Sequence, residues 1–284
     1  MQRQVLITGG NSGIGYEMAA ACVDQGDHVI IASRDLAKSQ AAAETIAQEA
    51  ATTGQIGTIE ALALDLGDLA DVDRFAARLG QRLDRLDVAI LNAGLFTNGT
   101  RALGNGLEAM IGIMHFGHFR LMQGLRELLV ATPGARVVVT ASVAHKLGRL
   151  RFETFDAPKK HWTAIQAYAQ AKLANILFTR ELAARLGEHD VVVNCFHPGA
   201  IATGIWTELP GPIRKLFGTV LTDTRTGADT GIWLACDDAA RQHQGQYLVG
   251  RKPASISRSA GDSDLARRLW RDTEQRLEAL TQTG

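Results

Sequence analysis

Val5-Leu6-Ile7-Thr8-Gly9-Gly10-Asn11-Ser12-Gly13-Ile14-Gly15 begins as an apolar run, passes through a glycine-rich turn and enters a helical pattern. The run reads as a strand and Ile14–Gln25 as the helix after it. The first N–H groups of a helix have no partner inside it, so a turn at this junction leaves amides that can meet phosphate charge. Gly9 can take backbone angles closed to other residues, Gly13 lets the backbone approach a pyrophosphate, and Gly15 permits close helix packing. The spacing is G-x-x-x-G-x-G rather than G-x-G-x-x-G, so the turn gains its meaning from its place in the first βα junction. The competing reading is a tight turn that binds nothing.

Working outward, further strands are expected at Val29–Ser33, Ile59–Leu64, Val88–Leu91, Val137–Thr140, Val191–Phe196 and Tyr247–Val249. Most lack polar alternation, as parallel strands covered on both faces do. Helical patterns lie at Leu36–Ala50, Val72–Leu83, Gly106–Val130, Ala164–Leu186 and Asp262–Leu280. Repeated βαβ units predict an α/β fold: one doubly wound Rossmann-type domain over residues 1–284, with a parallel sheet of about seven strands flanked by helices. The irregular segments 146–163 and 203–226 follow strands and are expected to wall a substrate pocket.

The 284 residues are 46% hydrophobic, enough for a large core. Thirty basic and thirty acidic residues balance, so no global field favours nucleic acid or an anionic membrane, and a small uncharged partner is expected. Cys22, Cys195 and Cys236 are widely spaced without a CxxC, which argues against a disulfide framework or a metal site and for a reducing compartment. Gln2-Arg3-Gln4 runs straight into the first strand, and no stretch reaches the roughly 18 apolar residues of a membrane span. No signal peptide or membrane anchor is therefore expected, and a cytoplasmic location is.

The second strand ends Ala32-Ser33-Arg34-Asp35. Arg beside a hydroxyl suits an adenosine 2′-phosphate, whereas an acid would accept from a free 2′-hydroxyl. Ser33 and Arg34 favour NADP(H). Asp35 as an NAD-selecting acid is the alternative, although it also fits as the N-cap of the next helix. Tyr168 and Lys172 stand at i and i+4 in a helical stretch and share one face. An ammonium near a phenol stabilises phenolate and would bring the phenol toward working pH. Ser142, just past the strand Val137–Thr140, could hold a carbonyl oxygen beside the tyrosine.

Across nearly its whole length the chain resembles the short-chain dehydrogenase/reductases. The matching motifs are Thr8–Gly15, Asp65-Leu66, Asn92-Ala93-Gly94, Ser142, Tyr168-x-x-x-Lys172 and Pro198-Gly199 followed by Thr203. Gly117-His118-Phe119, His197-Pro198-Gly199 and Leu269-Trp270 resemble the retinol-dehydrogenase-like branch, which often acts on lipophilic alcohols and carbonyls. The resemblance implies an oxidoreductase that moves a hydride between NADP(H) and a lipophilic carbonyl or alcohol. It implies Tyr168 as acid or base, Lys172 on the tyrosine and the nicotinamide ribose, and Ser142 on the substrate oxygen. The implied cofactor set is Gly9, Asn11, Ser12, Gly13, Ile14, Gly15, Ser33, Arg34, Asp65, Leu66, Asn92, Ala93, Gly94, Tyr168, Lys172, Pro198, Gly199, Ile201 and Thr203. Homo-oligomerisation is a further expectation, with Gly106–Val130 and Ala164–Leu186 as contact surfaces.

One departure stands out. The family usually carries an asparagine where this chain has Met114. A thioether cannot donate a hydrogen bond, so the relay or helix distortion at this point is expected to be altered, with His115 or His118 as substitutes or as plain packing residues. Two other readings follow from Met114: a non-catalytic NADP(H) sensor, and redox-neutral chemistry such as a dehydratase, epimerase or cyclase. Leu147, Leu150, Phe152, Phe155 and Trp162 on one pocket segment, and Ile205, Trp206, Leu209, Ile213, Leu216 and Phe217 on the other, suit an apolar substrate or simply anchor two loops.

Overall fold

In the computed structural model, residues 2–54, 57–156, 163–199 and 223–282 are described. The chain alternates β1 (Gln4–Thr8), α1 (Gly13–Asp24), β2 (His28–Ser33), α2 (Leu36–Thr53), β3 (Thr58–Ala63), α3 (Leu69–Arg82) and β4 (Val88–Leu91). Then come α4 (Ala109–Ile111), a π-helical turn at Gly112–Gly117, α5 (His118–Gly124), α6 (Arg126–Val130) and β5 (Arg136–Thr140). The described remainder comprises α7 (Ala164–Leu186), β6 (Val192–Phe196), α8 (Thr224–Cys236), β7 (Tyr247–Val249), β8 (Lys252–Pro253) and α9 (Ser263–Gln282).

The strands form one sheet in the order β3-β2-β1-β4-β5-β6-β7-β8. Seven are parallel, and β8 adds an antiparallel edge through Leu248↔Pro253 and Val249↔Lys252. Side chains alternate across a strand, so each strand supplies both faces. Leu6, Ile30, Leu91, Val137 and Val139 enter the core beneath α3, α5, α7 and α9. Val5, Ile7, Ile31, Ile90 and Val138 enter the core beneath α1, α2 and α8. That double burial is why these strands read as continuous apolar runs. The chain winds outward in opposite directions from β1 and β4, which opens a crevice at their carboxyl ends.

The glycine turn sits in that crevice. Gly9 has φ +67°, and a Cβ on Gly15 would lie 2.2 Å from the Gly9 carbonyl oxygen. Gly15 therefore packs α1 under the turn.

Several expected boundaries move for local reasons. The Asp68 carboxylate accepts from Ala70 N and Asp71 N, so α3 starts at Leu69, ahead of the expected Val72. Asp223 accepts from Thr226 N at 2.6 Å, so the end of the expected loop 203–226 is the first turn of α8. The expected single helix Gly106–Val130 is three α segments and the π turn. Phe155 is fully buried 5.7 Å from Phe116, and Phe152 lies under the Arg268 guanidinium. Both anchor their loop to the core and are absent from the cleft lining. Trp162 and the aromatic and aliphatic residues expected between 205 and 217 lie outside the described residues.

Helix α9 packs against α5 and α7, which belong to the segments expected to carry self-association. Trp270 lies 4.5 Å from Phe119 and stacks at 12° on Phe178, Arg185 sits over its ring, and Thr273 bonds His115 at 2.9 Å. Among the described residues, no helix is long and apolar enough to cross a membrane.

Candidate active site

A cleft of about 770 Å³ runs along the carboxyl ends of the strands. Its floor is the start of α1, where the Ser12 side chain makes no cap hydrogen bond and the first turn holds no acid. Such a terminus offers its amides and positive dipole end to an anion. Gly9, Asn11, Ser12, Gly13 and Ile14 line this part. Gly15 does not, and acts through packing instead.

At the end of β2, Ser33 Oγ accepts from Asn11 Nδ2 at 2.9 Å and bonds Ser39 Oγ at 2.7 Å. Arg34 and Lys38 line the cleft beside it, and both are exposed. Lys38 was not anticipated, although its place four residues past Arg34, in the first turn of α2, is readable in the sequence. The Asp35 carboxylate accepts from Lys38 N at 3.0 Å as the N-cap of α2, and Asp35 also borders the cleft. On the other wall, Asp65 accepts from Gly67 N at 2.8 Å, which fixes the turn that presents Asp65 and Leu66.

Asn92 ties three strand ends together. Its Nδ2 donates to the carbonyls of Thr8 and Gly9, each at 3.2 Å, and its Oδ1 accepts from Thr140 Oγ1 at 3.1 Å. Ala93 and Gly94 continue the wall, and Gly94 lies against the Met114 sulfur.

Ser142, Tyr168 and Lys172 converge on the cleft from β5 and α7. The Ser142 hydroxyl accepts from Ala144 N at 3.2 Å and hydrogen-bonds the Tyr168 phenol. Lys172 Nζ donates to the Thr140 carbonyl at 3.1 Å and lies 5.6 Å from the Tyr168 ring centre. Burial pushes the phenol up to about 12, offset in part by Ser142. Burial also pushes the Lys172 ammonium down to about 8. Desolvation of both groups thus outweighs the attraction expected from an i, i+4 pair.

His145 is a positioning residue that the sequence reading missed. It is fully buried; its Nε2 accepts from Ser257 N at 3.2 Å, so Nδ1 carries the proton and donates to the Ser142 carbonyl at 2.7 Å. His118 is engaged in the same way. Thr8 Oγ1 accepts from the amides of Asn92 and Ala93 and bonds His118 Nε2 at 2.9 Å, while His118 Nδ1 donates to the Met114 carbonyl at 3.2 Å. Burial lowers this histidine to about 4, so it is neutral. The π turn thus forms with methionine at 114, and a side chain one turn on holds the carbonyl.

His197, Pro198 and Gly199 close the cleft, and Thr224 reaches it from α8 with its hydroxyl on Glu17 at 3.1 Å. Burial pushes His197 down to about 4, and its Nδ1 is buried without a partner among the described residues. Ile201 and Thr203, expected at the cofactor, lie outside the described residues.

The sequence pattern of the short chain dehydrogenase family matches residues 3–212. The chain belongs to that family, and its oxidoreductase class follows. Retinol dehydrogenase 14 of Mus musculus is 37% identical over 280 residues, covering 94% of this chain and 84% of the relative. Among solved structures, an uncharacterized protein from Mycobacterium paratuberculosis is 32% identical, with a TM-score of 0.78 over 98% of this chain and 94% of that one. The Pseudomonas aeruginosa RhlG/NADP active-site complex is 25% identical, with a TM-score of 0.69 over 87% of this chain and 93% of that one.

Proposed function

We propose that this protein is an NADP(H)-dependent oxidoreductase that interconverts a lipophilic carbonyl compound and its alcohol, with Tyr168 as acid and base. The observation that carries the reading is the convergence of Ser142, Tyr168 and Lys172 on the cleft that also holds the open start of α1. The residues present fit a nicotinamide dinucleotide. Gly9–Ile14 would hold the pyrophosphate, Asp65 and Leu66 the adenine, Lys172 the nicotinamide ribose, and Ser33 with Arg34 and Lys38 the 2′-phosphate. The engagement of Asp35 in capping α2, and the NADP complex of the RhlG relative, support NADP(H) over NAD(H). The retinol dehydrogenase relatives, by name, support an apolar alcohol or aldehyde.

When bound, the cofactor supplies or accepts the hydride. The chain's own residues manage the oxygen and its proton. Ser142 holds the substrate oxygen against Tyr168. In reduction, the phenol gives its proton to the oxygen that becomes the alcohol; in oxidation, the phenolate takes it back. A phenol at about 12 stands protonated at neutral pH. His145 and Asn92 keep the serine and the strand ends in place.

The test is loss of NADPH absorbance with a panel of lipophilic aldehydes and ketones, run beside NADH. Tyr168→Phe is expected to lower kcat at least about 10³-fold while calorimetry still detects NADPH binding. Product formed with no net change in NADPH would replace this reading with redox-neutral chemistry. NADPH binding without any turnover would replace it with a sensor.

A further inference from the structure

The three cysteines, expected as separate residues, include a close pair. Cys22 Sγ and Cys236 Sγ are 3.8 Å apart although 214 positions separate them in the chain. Helices α1 and α8 bring them together. Both helices begin at the cleft, where Thr224 bonds Glu17, and they touch again at Gly231, where a Cβ would meet Met18 and Phe196 at 2.6 Å. The sulfurs lie at the ends remote from the cleft.

The two thiols are chemically unequal. Cys22 is fully buried, and its hydrogen bond with Cys236 and desolvation hold it well above the usual thiol range. Cys236 is half-buried and is the last residue of α8. Its thiol is lowered by the hydrogen bond from Cys22 and by the Arg3 guanidinium, against its own desolvation. Arg3 also donates to the Ala235 carbonyl at 3.2 Å, so it sits where the helix dipole would otherwise oppose a thiolate. A partly buried thiol whose ionisation is favoured, beside a fully buried thiol, is the arrangement of an attacking and a resolving cysteine.

We propose that Cys22 and Cys236 are a reversible dithiol–disulfide pair that staples α1 to α8 when a peroxide oxidises the protein. The Cys236 thiolate attacks a peroxide oxygen and becomes a sulfenic acid, releasing hydroxide, or an alkoxide from an organic peroxide. The Cys22 sulfur then attacks the Cys236 sulfur, the S–O bond breaks, and the hydroxide leaves as water with the Cys22 proton. Two electrons pass from the thiols to the peroxide. The sulfurs must close from 3.8 Å to the roughly 2 Å of a bond. Asp27 completes a group of three metal-ligand types within 4.8 Å, but Arg3 already occupies both its oxygens at 2.8 and 2.7 Å. A cation would have to displace that guanidinium, so the pair is assigned to redox chemistry.

The test treats the full chain with a modest excess of hydrogen peroxide under native conditions, then maps peptides without reduction. The expected result is a Cys22–Cys236 linked peptide, a Tm higher by on the order of 5 °C, and reversal of both by dithiothreitol. Cys195, whose thiol burial pushes up to about 12, is expected to stay reduced in the same digest. Cys22→Ala and Cys236→Ser should each lose the rise in Tm, but the linked peptide in the unaltered chain decides the matter even if a variant folds poorly. Cys236 carried to sulfinic acid without linkage, or linked to a second chain, would overturn the proposal. So would a reduced protein that retains one equivalent of added zinc with both thiols blocked. None of these readouts depends on turnover, so they stand apart from the oxidoreductase reading.

Discussion

Arg34 and Lys172 are cations at opposite ends of one cleft, and each makes a prediction at the scale of a single side chain. Arg34 is exposed just past the end of β2 and lines the cleft, where it can reach a phosphate. Arg34→Ala is expected to raise KM for NADPH about tenfold or more and to leave KM for NADH nearly unchanged, in parallel steady-state assays. Lys172 is buried, and its ammonium is lowered to about 8. Below that pH it is charged and can hold ribose hydroxyls; above it the charge is lost. The Kd for NADPH is therefore expected to rise between about pH 7 and about pH 9, as read by fluorescence titration, and Lys172→Met should lack this limb. Ser142, Tyr168 and Lys172 were legible because residue type and spacing carry them. The direction of the tyrosine shift was not, because it depends on how completely α7 is buried against β5 and the loop after it.

Helix α9 makes the prediction at the scale of an element. Leu269, Trp270, Thr273 and Leu277 form its buried stripe, and Trp270 fills the space between Phe119, Phe178 and Arg185. Trp270→Ala is expected to cost about 3 kcal/mol, measured by urea denaturation, and to expose the faces of α5 and α7. Size-exclusion chromatography of that variant reports whether those faces then associate. The helical period of residues 262–280 was readable, but its docking site was not, because a stripe of apolar residues does not name its partner. The π turn at Gly112–Gly117 teaches the same lesson. The sequence reads as one helix through Met114, with the family's usual distortion expected to be altered there, yet a π turn forms, and the bond that holds it runs from His118, which is itself fixed by Thr8, 110 positions earlier.

At the scale of the whole molecule, the cleft joins the ends of β1, β2, β4 and β5 with the first turns of α1 and α8. A ligand that fills it connects both halves of the sheet. NADPH at about 100 times its Kd is expected to raise stability by about 2.7 kcal/mol, seen as a Tm rise of several degrees in a thermal scan. NADH at the same concentration should give a smaller rise.

The sequence by itself determined the α/β class, the seven parallel strands, the glycine turn and the Ser142, Tyr168 and Lys172 set. The strands, the glycine turn and the Tyr168/Lys172 pair rest on local periodicity or spacing, and Ser142 joins them through its place just past a strand and the family pattern. Only the tertiary structure decided which residues became neighbours across the chain: Ser257 on His145, Thr8 on His118, α9 over α5 and α7, and Cys22 against Cys236. Those contacts arise from how helices cross a twisted sheet, and the register of that packing is fixed by side chains far apart in sequence.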